Sequence, residues 1–303
     1  MLINKESIAA ASKGFKAVFF EALNNVAWDE IVEKLAARIP TTNTEETYGW
    51  LEKISGMKEF DGEARVGNIA ASSYTIRNKV WEDTVEVSIR DIENDSLSQY
   101  KKLFAAMAGG AKAHDGEQIA DLLVNGFTRN CYDGTPFFGT NHKYLSSNVE
   151  YSNALTKKLS PDNFRTARAM LRTMRNPAGK SMRLGKDIVL LVGAANEGLA
   201  REILTAERSA NGATNVDKGT ARPVVWSEID VINPNAWFVC DLGQIVQPFV
   251  IQEEKPVEFR HSDDPDDSHS IKTNSFLYQA YKVAGYGYAF PQLIVGSDGT
   301  TSA

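Results

Sequence analysis

Cys131-Tyr-Asp-Gly-Thr-Pro-Phe-Phe-Gly-Thr-Asn-His142 combines candidate catalytic side chains with turn-forming and aromatic residues. Cys131, Asp133 and His142 offer a nucleophile, an orienting carboxylate and a base. A cysteine hydrolase needs its thiol activated by a histidine within hydrogen-bond reach. The match is to residue types only, with no nucleophile setting around them. Asp133-Gly134 and Pro136 are turn residues, and Phe137-Phe138 is an apolar anchor. The stretch therefore reads as a rigid connector closing a long helix, with a hydrolase using Cys131 and His142 as the alternative.

That helix lies upstream. Leu97, Tyr100, Phe104 and Met107 form one apolar stripe, continued by Ile119, Leu122, Leu123 and Phe127. Ser96 and Gln99 fit a capping box. Gly109-Gly110 and His114-Asp115-Gly116 interrupt the stripe, and each interior glycine costs about 1 kcal/mol relative to alanine. The pattern predicts a helix over 96–129, kinked near these glycines or split into two helices in line.

Further upstream, residues 5–37 read as helical, with Ile8, Phe15, Val18, Phe19, Leu23, Val26 and Ile31 at spacings near three and four. Pro40 and Thr41-Thr42-Asn43-Thr44 mark a boundary. Residues 47–90 are β-rich. Tyr74, Ile76, Asn78 and Val80 share one parity, and Val85, Val87 and Ile89 the other. The change at Trp81–Thr84 predicts a bulge or bend. Such a hairpin buries little of itself and needs a partner surface.

Downstream, a polar connection runs from Ser146 to Lys158, and Ser160-Pro161 starts a helix in the favoured way. Ile188–Val192 is a short apolar run typical of a buried strand. A helix follows over 197–206, then a loop over 209–220. Strands are expected at Pro223–Ile232, Trp237–Cys240, Pro248–Arg260 and Ser275–Phe290, with an acidic loop at 262–270. The class is α+β.

The chain has 303 residues and a net charge of −6. That length supports a substantial core. No apolar run reaches the roughly 18 residues of a membrane span, and the N-terminus lacks a signal-peptide pattern. Two cysteines, Cys131 and Cys240, make no disulfide framework and fit a reducing cytoplasm. A protein that grips nucleic acid carries a net basic field or a basic stripe, and neither is evident here, whereas mild acidity is compatible with a container that should not stick to DNA.

Other constellations are weaker. His261 and His269 surround Asp263, Asp264, Asp266 and Asp267, without an EF-hand pattern, so a solvated loop outranks a metal site. Gly193–Gly198 sits between a strand and a helix but lacks a phosphate-loop signature. Arg165, Arg168, Arg172 and Arg175 fall on one helical face, with Lys180 and Arg183 beyond. That face suits DNA or an acidic neighbour, with a solvated surface the plainer reading. No cofactor and no metal are expected.

Several motifs together resemble the major head subunit of Mu-like tailed phages, the gpT family. They are Tyr48-Gly-Trp-Leu51, Asp61-Gly-Glu-Ala-Arg65, Tyr74-Thr-Ile-Arg-Asn78, Trp81-Glu82, Val85-Glu-Val87 and Arg90-Asp-Ile-Glu-Asn-Asp95. Gly126-Phe127 and the 131–142 signature close the set. The resemblance implies an HK97-like capsid fold: an N-terminal arm over 1–43 and an extended hairpin, the E-loop, over 44–90. A peripheral domain with its spine helix would take 91–159 and 246–303, and an axial domain 160–245. It implies a major capsid protein rather than an enzyme, assembling as pentamers and hexamers into an icosahedral shell around double-stranded DNA. Scaffold or protease, portal and decoration proteins would be its partners, the host cytoplasm its place of assembly and the virion its destination. Phe15, Phe19, Trp50, Phe60, Arg65, Trp81 and Glu82 are the residues expected at contacts between copies.

Overall fold

The computed structural model describes residues 5–25, 29–49, 74–94, 97–144, 149–209 and 212–301. Helices α1 (Lys5–Asn25) and α2 (Glu30–Leu35) lead into β1 (Ala36–Pro40), β2 (Glu45–Tyr48), β3 (Tyr74–Arg77) and β4 (Lys79–Ser88). Next come α3 (Ile89–Glu93), the long α4 (Ser98–Val124), and short strands β5 (His142–Lys143), β6 (Glu150–Tyr151) and β7 (Ala154–Lys157). The middle of the chain supplies α5 (Pro161–Arg172), β8 (Ile188–Val192), α6 (Glu197–Thr205), β9 (Arg222–Val225), α7 (Glu228–Ile232) and β10 (Trp237–Asp241). It ends with β11 (Phe249–Ser262), α8 (Ser268–Thr273), β12 (Ser275–Tyr288) and β13 (Ile294–Thr301).

Two sheets organise these elements. One has four strands in the order β1-β11-β12-β4, the other five in the order β7-β13-β10-β8-β9. Strand β8 is buried along its whole length because it lies between β10 and β9 and is covered on both faces. The five-stranded sheet takes β7 and β13 from outside the 160–245 span, so this body is assembled from three separated stretches of chain. Two apolar cores result. The larger unites the five-stranded sheet with the adjoining ends of β11 and β12, and the smaller packs α1 and the first half of α4 on the far ends of β4, β11 and β12.

Helix α4 is one uninterrupted element of 27 residues, about 40 Å long, rather than two helices. Packing outweighs the glycine cost. Phe104 contacts Phe15 of α1, and Gly116 lies against Val32 and Trp226. The helix begins at Ser98 with Leu97 as cap and no side-chain cap, while Ser96 of the expected capping box lies outside the described residues.

Three other expectations are corrected. β4 pairs with β12 in unbroken register from Lys79↔Ala284 to Ser88↔Ser275, so no bulge exists at 81–84. The parity change is a switch of sheets at Asn78, because among the described residues β3 pairs only with β2 while β4 joins the four-stranded sheet. Asn78 holds that corner by donating to Asn43 O at 2.8 Å and accepting from Gln252 at 2.9 Å. Residues 36 and 37, expected at the end of the 5–37 helix, instead open β1, a parallel strand beside β11. Residues 228–232, expected in a strand, form α7.

The β2–β3 ribbon is anchored at its base. Tyr48 donates to Gln252 at 2.9 Å, and Ile76 rests where side chains at Gly285 and Gly287 would stand. Those two glycines on β12 exist to let a second layer cross closely.

Candidate functional site

The 131–142 loop folds into a closed hydrogen-bonded turn. Cys131 N–H donates to Thr135 O at 2.8 Å and Gly134 N–H to Cys131 O at 3.1 Å, with Gly134 at φ +79°. The Asp133 carboxylate is its hub. Oδ1 accepts from the Cys131 thiol at 3.1 Å, from Thr135 N–H at 3.0 Å and from the Thr135 hydroxyl at 2.7 Å. Oδ2 lies 2.7 Å from His142 Nδ1, while His142 Nε2 faces Phe137 O at 3.2 Å.

This geometry is the reverse of a nucleophile site. The thiol donates to a carboxylate rather than to an imidazole, and both ring nitrogens are already engaged. Burial, reinforced by the Asp133 charge, pushes the Cys131 thiol well above its ordinary range. A nucleophile needs the opposite shift. Burial also opposes ionisation of Asp133, but hydrogen bonds from His142 and Thr135 outweigh it and hold that carboxyl at about 2. Cys131 and His142 are 5% and 0% exposed, leaving no route for a substrate. The hydrolase reading is therefore withdrawn. Cys131, Asp133 and His142 do offer ligand atoms within 4.8 Å of one another, yet those atoms already satisfy each other through protons.

The loop's work is mechanical. Phe137 stacks on Tyr288 at 4.5 Å and meets Phe249, on strands β12 and β11 of the four-stranded sheet. Phe138 stacks on Phe127 at 4.7 Å and meets Phe238 on β10 of the five-stranded sheet. Two consecutive aromatics thus staple the two sheets together. Gly126 and Gly296 leave the space that Phe138 fills. Asn153, fully buried and missed by sequence reasoning, fastens the loop. It accepts from Gly139 N–H at 2.9 Å and donates to Phe137 O and Pro291 O.

The expected contact residues divide into three groups. Phe15 and Phe19 are 1% and 0% exposed inside the chain's own smaller core, against Phe104, Tyr278 and Phe259, so in this conformation they are not offered to a neighbour. Their helical spacing matched a cradle on the same chain. Trp50, Phe60 and Arg65 lie outside the described residues. Trp81 is half-buried, donating to Ala284 O at 3.1 Å with its ring 4.4 Å from His114. Glu82 is exposed on β4 and accepts from Gln279 at 3.0 Å.

Near Trp81 sits a charge cluster that sequence reasoning also missed. Asp115 of α4 receives Arg38 at 2.8 Å, Lys282 at 2.8 Å and the Tyr286 hydroxyl at 2.6 Å, tying the helix to β1 and β12. His114 lies beside it with Nε2 buried and, among the described residues, without a hydrogen-bond partner. Burial first, then the Lys282 charge, lowers His114 from 6.5 to about 4. The ring is thus neutral when folded and protonated more readily when unfolded. Stability from this group is complete above about 6.5 and is lost as pH falls towards 4. His114→Gln should flatten the melting midpoint across that window. An unchanged acid slope would refute the assignment.

The remaining constellations resolve into structure. Asp230 of α7 accepts from Ala194 and Ala195 N–H at the turn before α6 and occupies the space beside Gly193, so the 193–198 turn is plugged from within. His261 faces Asp263 at 3.2 Å while His269 faces Glu86 at 3.4 Å, so the two histidines do not converge. Helix α5 ends at Arg172, so Arg175 does not share its face. Among the described residues, no helix is long and apolar enough to cross a membrane.

Comparison with known proteins supplies the remaining finding. The family described as Mu-like prophage major head subunit gpT matches residues 8–158, 149–229 and 224–303. The major capsid protein of Escherichia phage Mu is 25% identical over 302 residues, covering 99% of this chain and 76% of that protein. The Mu-like prophage FluMu major head subunit of Haemophilus influenzae is 23% identical over 270 residues, covering 89% of this chain and 67% of that protein. Among solved structures, the procapsid of bacteriophage JBD30 matches with a TM-score of 0.61 and 24% identity, over 97% of this chain and 76% of that one. The structure of Mycobacterium phage Patience matches with a TM-score of 0.52 and 12% identity, over 97% and 88% respectively. The architecture is that of phage major capsid proteins, the HK97-like fold.

Proposed function

The chain belongs to the Mu-like prophage major head subunit gpT family, a capsid protein and not an enzyme, and we propose that its copies close as pentamers and hexamers into an icosahedral shell around double-stranded DNA. The observation that carries this reading is the family match, whose three overlapping segments together span residues 8 to 303. Closed shells arise when one surface of a subunit meets a different surface of the next, so that rotation closes a ring. Many weak contacts then suffice, because each is repeated across the shell.

The β2–β3 ribbon supports the same reading. Among the described residues its strands pair only with each other, and Glu45, Thr47, Thr75 and Arg77 are exposed. A two-stranded ribbon with little burial of its own is marginal in water, and a neighbouring copy is a ready source of cover. Glu82 on the edge strand β4 and Arg65 are the charged contact candidates, with Trp50, Phe60 and Trp81 as apolar ones. A scaffold or protease, a portal and decoration proteins complete the proposed partners. Assembly would take place in the host cytoplasm, and the virion would be the destination.

Electron microscopy of the purified full chain tests the proposal. Closed particles are expected, and they should survive Cys131→Ser. Glu82→Lys or Arg65→Glu should leave a folded subunit that forms none. A chain that stays monomeric at high concentration refutes the shell, and normal particles from both charge reversals refute the contact roles.

A further inference from the structure

Residues 163–186 hold seven basic side chains and no acidic one, in a chain whose net charge is −6. Two of the seven are engaged locally. Arg165 is paired with Asp162 and Asp217, both at 2.7 Å, and Arg168 lies over the Phe164 ring. The other five, Arg172, Arg175, Lys180, Arg183 and Lys186, are exposed, and among the described residues none of them joins an ion pair.

The backbone gathers these five. After α5 the chain doubles back: Met182 N–H donates to Met174 O at 3.0 Å and Asn176 N–H to Lys180 O at 2.8 Å, bringing Arg175 opposite Ser181. The Asn176 side chain caps the turn by accepting from Ala178 and Lys180 N–H, each at 3.0 Å. The Arg172 guanidinium lies beside Gly185, next to Lys186. Arg183 holds a left-handed backbone at φ 56°, uncommon for a side chain of its size. Met174 and Leu184 are buried and anchor the hairpin, so the cations project from a fixed frame.

We propose that the 172–186 hairpin is a contact for the phosphate backbone of double-stranded DNA, and so marks a face of the subunit turned towards the shell's contents. The orientation rests on the shell reading, whereas the binding itself does not. Phosphate recognition needs exposed, unpaired cations and backbone or hydroxyl donors, without sequence readout. A protein partner would favour aromatic or aliphatic anchors and few lysines at its centre. No exposed large hydrophobic residue lies between 163 and 186. The acidity of the rest of the chain limits attachment elsewhere, confining the contact to this hairpin.

Binding of a short labelled duplex to the full chain, followed by fluorescence anisotropy across a series of salt concentrations, tests this. Arg175→Glu with Arg183→Glu should weaken binding by about tenfold or more and lower the log–log salt slope by about two, one for each lost phosphate contact. Lys101→Glu with Lys102→Glu changes net charge equally at exposed positions on α4 and should stay within about twofold of wild type. Melting midpoints check the fold, with Arg175→Gln and Arg183→Gln as the milder pair. Equal losses in both charge-reversed variants, or unchanged DNA affinity in the hairpin variant, overturn the proposal. Unchanged affinity together with lost particles would make the hairpin a contact between copies. If the unassembled wild-type chain shows no salt-dependent binding of the duplex, the proposal is overturned, and normal particles formed by that chain leave the shell reading standing.

Discussion

Asp115→Asn is expected to destabilise the folded subunit by about 3–5 kcal/mol, because it strips the counter-charge from a buried lysine. Lys282 is 8% exposed and its ammonium donates to Asp115 at 2.8 Å. Burial pulls the Lys282 ammonium below its ordinary range, and the Asp115 charge is the main influence opposing that loss. Asp115 is itself pressed upward by burial, yet Lys282 and the Tyr286 hydroxyl outweigh this and hold it low. Arg38 keeps Glu33 at 3.0 Å and Glu253 at 3.8 Å, so Lys282 suffers most.

Removing both partners is expected to cost less than removing one. Lys282→Met placed on Asp115→Asn should recover part of the loss, since a neutral, well-packed pair avoids the desolvation of two ions. Chemical denaturation of the two single variants and the double supplies the coupling energy. Losses that simply add would show that the two residues do not act as a pair.

Phe138→Ala is expected to be comparably severe, at about 3–5 kcal/mol, since a large fully enclosed ring leaves a cavity. Its ring fills the gap between Phe238 on β10, Gly296 on β13, and Gly126 and Phe127 in the 3-10 turn that follows α4. The loss should exceed that of Cys131→Ser, which removes only a weak thiol donor from the Asp133 hub. Denaturant midpoints of the two variants side by side provide the check. Near-equal midpoints would mean that the aromatic staple contributes little to holding the two sheets together.

Legibility in the sequence followed the range of the interactions. Ser160-Pro161 announced α5 because cap and first turn are adjacent, and the Ser160 hydroxyl does accept from Asn163 N–H. Ile188–Val192 announced a buried strand because five apolar residues in a row have no solvent face. Residues 36 and 37 read as the end of the 5–37 helix because β11, the partner that makes them a strand, lies more than 200 positions away. At 228–232 the apolar residues Ile229, Val231 and Ile232 fit either period. The choice fell to the helix that brings Asp230 to the 193–195 turn.

The α+β class, the long helix, the rigid 131–142 connector and the motifs resembling a phage head family are all legible in the residue order. Each is written in neighbouring residues, where spacing and turn chemistry act directly. Tertiary packing is what engages His142 with Asp133 and Phe137, covers Phe15 and Phe19 with their own chain, and sets Asp115 against Lys282 across 167 positions. Burial and charge compensation are properties of groups that meet in space, and a linear spacing does not say which distant group will arrive.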